Sequence, residues 1–577
     1  MSVGTALLSG VRSRVLPQVQ TVMEGTRAAE GSFRIAGHVV DVFQRRIEPA
    51  QIEVRNGSIV RREPLPASEV PSVYLMPGFV DAHVHVESSL LPPPEFARLA
   101  VVHGTVATVS DPHEIANVLG IEGVRYMRRA AATTPFIFWF GAPSCVPATR
   151  YETAGAELGV EELRTLFEEG VPYLSEMMNY PAVLAGEPEV MAKLELAKRY
   201  GRPIDGHAPG LRGEQARRYA AAGIATDHEC FTLEEALDKI EAGMWILIRE
   251  GSAARNFEAL HPLLRLFPER CMFCTDDLHP DALLAGHVNA LVRRAVAAGY
   301  DLFDVVRAAC LHPVQHYGLP LGLLRPGDPA DFIVVEDLQD FSVLATYIRG
   351  RCVAREGESL LPHQELEVVN RCVERTVREE ELRVPADSGQ IRVIEAYDGQ
   401  LITGEVLVDG LVRDGELVAD PERDVLKLVV VNRYAVAPPA VAFIRGFGLR
   451  RGAIASSVAH DSHNIIAVGA SDGELCRALN AVFEQRGGLA VAEGESVECL
   501  PLSIAGLMSP EDGYRVARRY MELDAHAKRL GSPLQAPFMT LSFMALLVIP
   551  ALKLSDRGLF DGRSFRFVSL YAGGAEA

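Results

Sequence analysis

Between Tyr74 and about Pro320 the chain repeats one pattern: a short apolar, β-branched run, then a helical stretch. The runs are LMPGFVDAHVHV (75–86), TVATVSD (105–111), FIFWFGAPS (136–144), VPYLSEMM (171–178), RPIDGHA (202–208), GIATDHE (223–229), MWILIREG (244–251) and CMFCTDD (271–277). Helical patterns such as EGVRYMRRAAA (122–132), EELRTLFEEG (161–170), EVMAKLELAKRY (189–200), RGEQARRYAAAG (212–223) and LEEALDKIEAG (233–243) separate most of them. Strands alternating with helices predict an α/β fold with a parallel sheet. Eight such units over about 250 residues is what a (β/α)8 TIM-like barrel requires.

The flanks read differently. Residues 11–29 predict a short surface helix, and residues 32–62 carry β-type runs with a turn at Asn56-Gly57, a strong hairpin signal. After the barrel, LRPGDPADFIVV (324–335) reads as a turn and a strand that returns to this small sheet. Residues 361–385 are highly charged and predict a linking helix. From about Gln390 the strands QLITGEVLVDG and DVLKLVVVNRYAV and the helices DGELCRALNAVFEQRGG and EDGYRVARRYMELDAHAKRLG make a further α+β region. The expected division is 1–72 as N-terminal segment and part of a β-sandwich, 73–323 as barrel, 324–360 as the return to the sandwich, 361–389 as linker, and 390–577 as C-terminal α+β domain. A length of 577 residues has room for these parts.

In a barrel of this kind the active site lies at the carboxyl ends of the strands. Strand one ends in His83 and His85, which a side-chain period of two points the same way. Strand two ends in Asp111-Pro-His113-Glu114, strand four in Glu176, strand five in His207, strand six in Asp227-His228-Glu229 and strand eight in Asp276-Asp277. Chance scatter of 16 histidines would not place them so regularly. Four histidines and two carboxylates exceed the needs of one tetrahedral ion and suit a pair bridged by a carboxylate and a hydroxide of lowered pKa. Glu176 is the natural bridge, and Asp276 can ligate and take the proton of the attacking hydroxide.

The signature of the zinc deaminases of nucleic-acid bases, H-x-E with P-C-x-x-C, is absent. Cys271 and Cys274 have no second Cys or His pair nearby and read as structural. A second polar cluster, His460-Asp461-Ser462-His463-Asn464, either binds another ion, caps the barrel mouth, or forms a hydrogen-bonded turn. Gly446-Phe447-Gly448 reads as a tight turn, since it lacks the rest of a dinucleotide fingerprint. A formal charge of −19 argues against nucleic acid or an anionic membrane as partner. Nine scattered cysteines fit a reducing cytoplasm, and no signal peptide is read at the N-terminus. The apolar run Phe543–Leu554 is too short to span a bilayer and reads as core.

The segments PGFVDAHVHVESS, SDPHEIANVLG, PSCVPAT, IDGHAPGL, AGIATDHEC, IREGSAARN and FCTDDLHP resemble the adenine deaminases of the amidohydrolase superfamily. So do GFGLRRGAIASSVAHDSHNI, LPLSIAGLMS and PFMTLSFMALLVIPALKL, and the resemblance runs from about residue 35 to 570. It implies a (β/α)8 barrel with a composite β-sandwich and an extra C-terminal domain. It also implies hydrolysis of adenine to hypoxanthine and ammonia in purine salvage, with manganese or iron(II) in a binuclear site that zinc could also fill, and a homodimer. By position, His83, His85, Glu176, His207, His228 and Asp276 would be the ligands. Catalytic roles fall to Asp276 and Glu176, with His113 and Glu114 as proton shuttles, as holders of the purine edge, or as supporting and helix-capping groups. Ser88, Ser89 and Asp111 are expected at the substrate, although the two serines fit a loop start equally well. Two departures stand out: His312 where an Asn is expected before the proline, and a longer N-terminus before Gly31.

Two alternatives remain open at this point. One is a related hydrolase acting on another aminopurine or a cyclic amide. Cyclic-amide hydrolases of this superfamily often bridge their ions with a carboxylated lysine, and YLSEMMNY around Glu176 has none. The other is an inactive barrel serving as a binding subunit, which a missing ligand would betray.

Overall fold

The computed structural model describes residues 31–387 and 389–572; residues 11–29, where a surface helix is expected, lie outside them. The described chain is a mixed α/β fold. The run read as one strand at 75–86 is two. Tyr74–Pro77 belongs to the small sheet, and β1 (Phe79–Val84) starts anew after Gly78. A side chain at Gly78 would run into Val106, so the chain crosses between sheets where only glycine fits.

Seven strands follow β1: β2 (Thr105–Ser110), β3 (Ile137–Phe140), β4 (Leu174–Met177), β5 (Ile204–Gly206), β6 (Thr226–Asp227), β7 (Trp245–Arg249) and β8 (Cys271–Cys274). Parallel ladders join β1 to β2 and β3, β4 to β5, and β6 to β7 and β8. Single contacts span the gaps. Ala142 pairs with Leu174 between β3 and β4, the Ala225 N–H donates to Ile204 O at 2.9 Å between β5 and β6, and Val84 pairs with Asp276 between β1 and β8. The strands therefore run round a closed circuit. Helices Ile121–Ala131 and Leu233–Glu241 pack on β3 and β7. β1, β2, β4 and β8 are buried at every position, which is why their sequences lack polar alternation.

The small sheet begins with Ser32–Asp41 and Arg46–Arg55, then Ser58–Pro64 across the Asn56-Gly57 turn. Asn56 and Gly57 have φ of 49° and 79°, the left-handed pair that a tight hairpin demands. Phe332–Val335 lies antiparallel to Tyr74–Pro77, so the chain does return to this sheet after the circuit.

The linking helix expected over 361–385 is not formed. Residues 361–377 run without regular structure, followed by a short 3-10 turn at Glu379–Leu382. Val368, Val369, Val373 and Val377 are β-branched and favour extended backbone. Their main-chain groups are also claimed elsewhere: Val373 N–H donates to Arg433 O at 2.9 Å, and Val369 O accepts from Ala505 N–H at 2.7 Å. Cys372, Val377 and Leu382 sink into the C-terminal core, so the segment is a strap rather than a spacer.

In the C-terminal region Leu426–Val431 and Ile465–Gly469 are buried throughout, at the centre of a sheet of eight described strands. Alternate side chains face two cores. Val429, Val431, Ile465 and Ala467 pack with the helix Asp472–Glu484, whereas Leu428, Val430, Ile466 and Val468 join a cluster shared with β1 and β2. Burial on both faces ties this region to the strand circuit. Most of Phe543–Leu554 is buried in that shared core, and among the described residues no helix is long and apolar enough to cross a membrane. The Gly446 and Gly448 N–H groups both donate to the Asp424 carboxylate at 2.7 Å, a closed turn with no place for phosphate.

Candidate metal centre

The strand ends bring His83, His85, Glu176, His207, His228 and Asp276 into one buried cluster. His83 and His85 face each other through their Nε2 atoms at 3.3 Å. His207 Nδ1 faces His228 Nε2 at 3.2 Å. Glu176 stands between the two pairs: Oε1 is 3.2 Å from His85 Nε2, and Oε2 is 2.8 Å from His207 Nδ1 and 3.2 Å from His228 Nε2. Asp276 Oδ1 lies 2.8 Å from His85 Nε2 and 3.4 Å from His83 Nε2.

These spacings suit metal coordination. Donors about 2.0–2.2 Å from one ion lie roughly 3.0–3.5 Å from each other at right to tetrahedral angles. Two imidazole nitrogens facing at 3.2–3.3 Å in a site without solvent leave lone pairs opposed unless a cation lies between them. Among the described residues His207 Nε2 is buried with no hydrogen-bond partner, and Glu176 Oε2 and Asp276 Oδ1 face imidazole nitrogens. The His85 ring is already oriented as a ligand. Its Nδ1 is 3.1 Å from Asp111 O, which can only accept, so the proton sits on Nδ1 and the Nε2 lone pair is free.

Electrostatics agree. Burial pushes the Glu176 carboxyl up, but the imidazoles of His207, His228 and His85 reverse this and hold it well below the usual range. Burial likewise opposes ionisation of Asp276, and Arg249 with His228 and His83 outweighs it. The site keeps its carboxylates charged, as ligands must be.

The structure brings the other expected residues to the same mouth. Asp111 Oδ1 accepts the His113 N–H at 3.1 Å, and its Oδ2 is 3.2 Å from His113 Nδ1. His113 Nδ1 is also 3.5 Å from Glu176 Oε1, and its Nε2 is 3.4 Å from Glu114 Oε1. Ser88 Oγ donates to Asp277 Oδ1 at 2.6 Å, whereas Ser89 Oγ donates to Val86 O at 2.6 Å, within its own turn. Cys271 and Cys274 are free and buried in β8.

The second polar cluster, remote in sequence, arrives here as well. His460 Nδ1 is 2.5 Å from Glu114 Oε1, His463 Nε2 pairs closely with Glu114 Oε2, and Asp461 Oδ1 lies 3.8 Å from His113 Nε2. Glu114, His460 and His463 lie close enough together to share an ion, and their contacts are equally those of charged hydrogen bonds.

Sequence reading assigned no role to Arg249, which is buried and pairs with both Glu229 and Asp276. The signal was present: an arginine at the end of the apolar run WILIR, at a strand end like those that carry the metal donors. Leu401, Phe543 and Leu546 also line the mouth, and an apolar residue in an apolar segment carries no such signal.

Residues 74–353 match the amidohydrolase family, and residues 400–566 match the adenine deaminase C-terminal domain family. The adenine deaminase of Salinibacter ruber is 60% identical over 543 residues, covering 94% of this chain and 99% of the relative. That of Sulfurovum sp. is 55% identical over 539 residues (93% and 99%), and that of Methanosarcina acetivorans 52% over 549 residues (93% and 99%).

Proposed function

The chain belongs to the adenine deaminase family of amidohydrolases, and we propose on that premise that it hydrolyses adenine to hypoxanthine and ammonia. The observation that carries the reading is Glu176, which offers one carboxylate oxygen to each of two histidine pairs.

In this reading His83, His85 and Asp276 would hold one divalent ion, His207 and His228 a second, and Glu176 would serve both. Nitrogen and oxygen donors without thiolate suit manganese or iron(II), and zinc fits as well. Bound there, the ions would supply a water acidified enough to attack at neutral pH. Asp276 would accept a proton at its carboxylate and pass it to the departing 6-amino nitrogen. Arg249 keeps Asp276 ionised for the first half of this exchange. His113 and Glu114 move protons or hold the purine edge, Asp111 orients His85 and His113, and Ser88 acts through Asp277. Ser89, whose hydroxyl is engaged by Val86, keeps a structural role at the loop start.

The closed circuit is read as a (β/α)8 barrel at 73–323. Described residues 31–72 and 324–360 then form the composite β-sandwich, 361–387 the strap, and 390–572 the C-terminal α+β domain. A homodimer in the cytoplasm, working in purine salvage, follows from the resemblance. Purified protein supplied with manganese is expected to release ammonia from adenine and not from adenosine or cytosine. Release from none of the three would overturn the assignment.

A further inference from the structure

His460 reaches the mouth from the far end of the chain and is 2% exposed. Its backbone N–H is anchored on Ser542 O at 3.0 Å, and its ring stacks on Phe543 with centroids 4.4 Å apart and planes 14° from parallel. Nδ1 faces the Glu114 carboxylate at 2.5 Å. That contact fixes the ring and places a proton on Nδ1. Nε2, at the opposite edge, is buried with no hydrogen-bond partner and lies 4.0 Å from Asp277 Oδ1. The ring lines the same cavity as His85, His113, Glu176 and Asp276. A carboxylate behind an imidazole and an unused nitrogen on the cavity side is the arrangement of an oriented donor.

We propose that His460 is a catalytic residue of the adenine reaction, donating from Nε2 to a purine ring nitrogen; this rests on the adenine reading above. When oxygen adds at C6, the π pair of the C6–N1 bond moves onto the ring nitrogens, so negative charge grows there. A fixed, positively charged N–H in a buried site stabilises that charge more in the transition state than in bound adenine.

The neighbours keep the ring charged. Facing it are Glu114, Asp277 and Asp461, with His463 on the other oxygen of Glu114 and His279 on the side of Asp277. Burial works against the imidazolium, but Glu114, Asp277 and Asp461 outweigh it and push its pKa to about 9. These three carboxylates favour the imidazolium over the neutral ring. This assigns the C-terminal region a chemical role beside the metal donors of the strand circuit.

The test compares wild type, His460→Gln, His460→Ala and Glu114→Gln, each loaded with manganese, with metal content and thermal midpoint recorded beside kcat and KM for adenine. The expected result is a kcat lowered about 10²–10³-fold in both His460 variants. Metal content should hold, a fall in kcat expected of wild type at alkaline pH should be absent from both variants, and added imidazole should restore part of the activity of His460→Ala. Glu114→Gln should bring that fall to lower pH. Wild-type kcat in His460→Gln or His460→Ala overturns the proposal. So does a loss accompanied by metal release or a collapsed midpoint without imidazole rescue, which would make His460 a structural group. A wild type inactive on adenine would instead strike the functional reading itself.

Discussion

Lys239 Nζ lies 3.0 Å from Asp227 Oδ2, and neither side chain is exposed to solvent. Asp227 also accepts the N–H groups of Ala208 at 3.0 Å and Glu229 at 2.8 Å, so one carboxylate pins the backbone beside both His207 and His228. Lys239 completes the knot by donating to Ala208 O at 2.7 Å and to Glu235 at 2.8 Å. Half of the candidate metal centre is therefore held from behind by a buried ion pair. A buried pair adds little net stability over an apolar packing, but removing one partner strands a charge.

Replacing Lys239 with Met is expected to cost about 3–5 kcal/mol, because Asp227 is left buried and unpaired. The thermal midpoint should fall, and the variant should retain less manganese than wild type after the same dialysis. An unchanged midpoint together with full metal retention would show that the pair does not position the two histidines.

Arg249 pairs with Glu229 and Asp276 through a guanidinium that is 1% exposed. Arg249→Met should lower kcat/KM for adenine at least about 10²-fold, the scale of losing one fixed charge at a reacting centre. Arg249→Lys keeps the charge but loses the planar fork, and should recover only part of that loss. Equal activity in Arg249→Met and wild type would remove Arg249 from the site.

Lys553 is fully buried and donates to Leu401 O at 2.7 Å and Phe543 O at 2.9 Å. Among the described residues no charge partner offsets its burial, which lowers its pKa from 10.5 to about 7. The folded value lies below the unfolded one, so between about pH 7 and 10.5 the unfolded chain binds more protons. Stability from this group is therefore greatest above that window and is lost as pH falls through 7. Lys553→Met should be more stable than wild type at pH 6, by a few kcal/mol at most, and the difference should shrink or reverse by pH 9. Denaturant midpoints across that range check the sign; a constant difference would contradict it.

Gly57→Ala should destabilise the small sheet by about 1–2 kcal/mol, since φ is +79° and a Cβ would sit 2.8 Å from Arg349 O. The hairpin carries none of the candidate metal donors, so kcat for adenine should stay at the wild-type value.

Much of this architecture was legible because parallel strands buried on both faces must be apolar and must end in whatever chemistry the site uses. That placed His83, His85, Glu176, His207, His228 and Asp276 among the strand-end residues, and the family resemblance singled them out as ligands. The break at Gly78 was not legible, because a continuous apolar run does not say that two sheets share it. Residues 361–385 misled because a charged segment with scattered valines satisfies a helical pattern as well as an extended strap, and only Arg433 O and Ala505 N–H decide between them. The meeting of His460 with Glu114, 346 residues apart, lies beyond any local pattern. Pairing at that distance is set by the shared core of the two regions.

Glu176 is proposed to serve two ions at once. Protein stripped of metal by chelation and titrated with manganese should regain adenine turnover with a break at two equivalents per chain. Glu176→Gln, treated alike, should bind fewer equivalents and stay inactive. A break at one equivalent, or turnover that survives stripping, would contradict a paired metal centre.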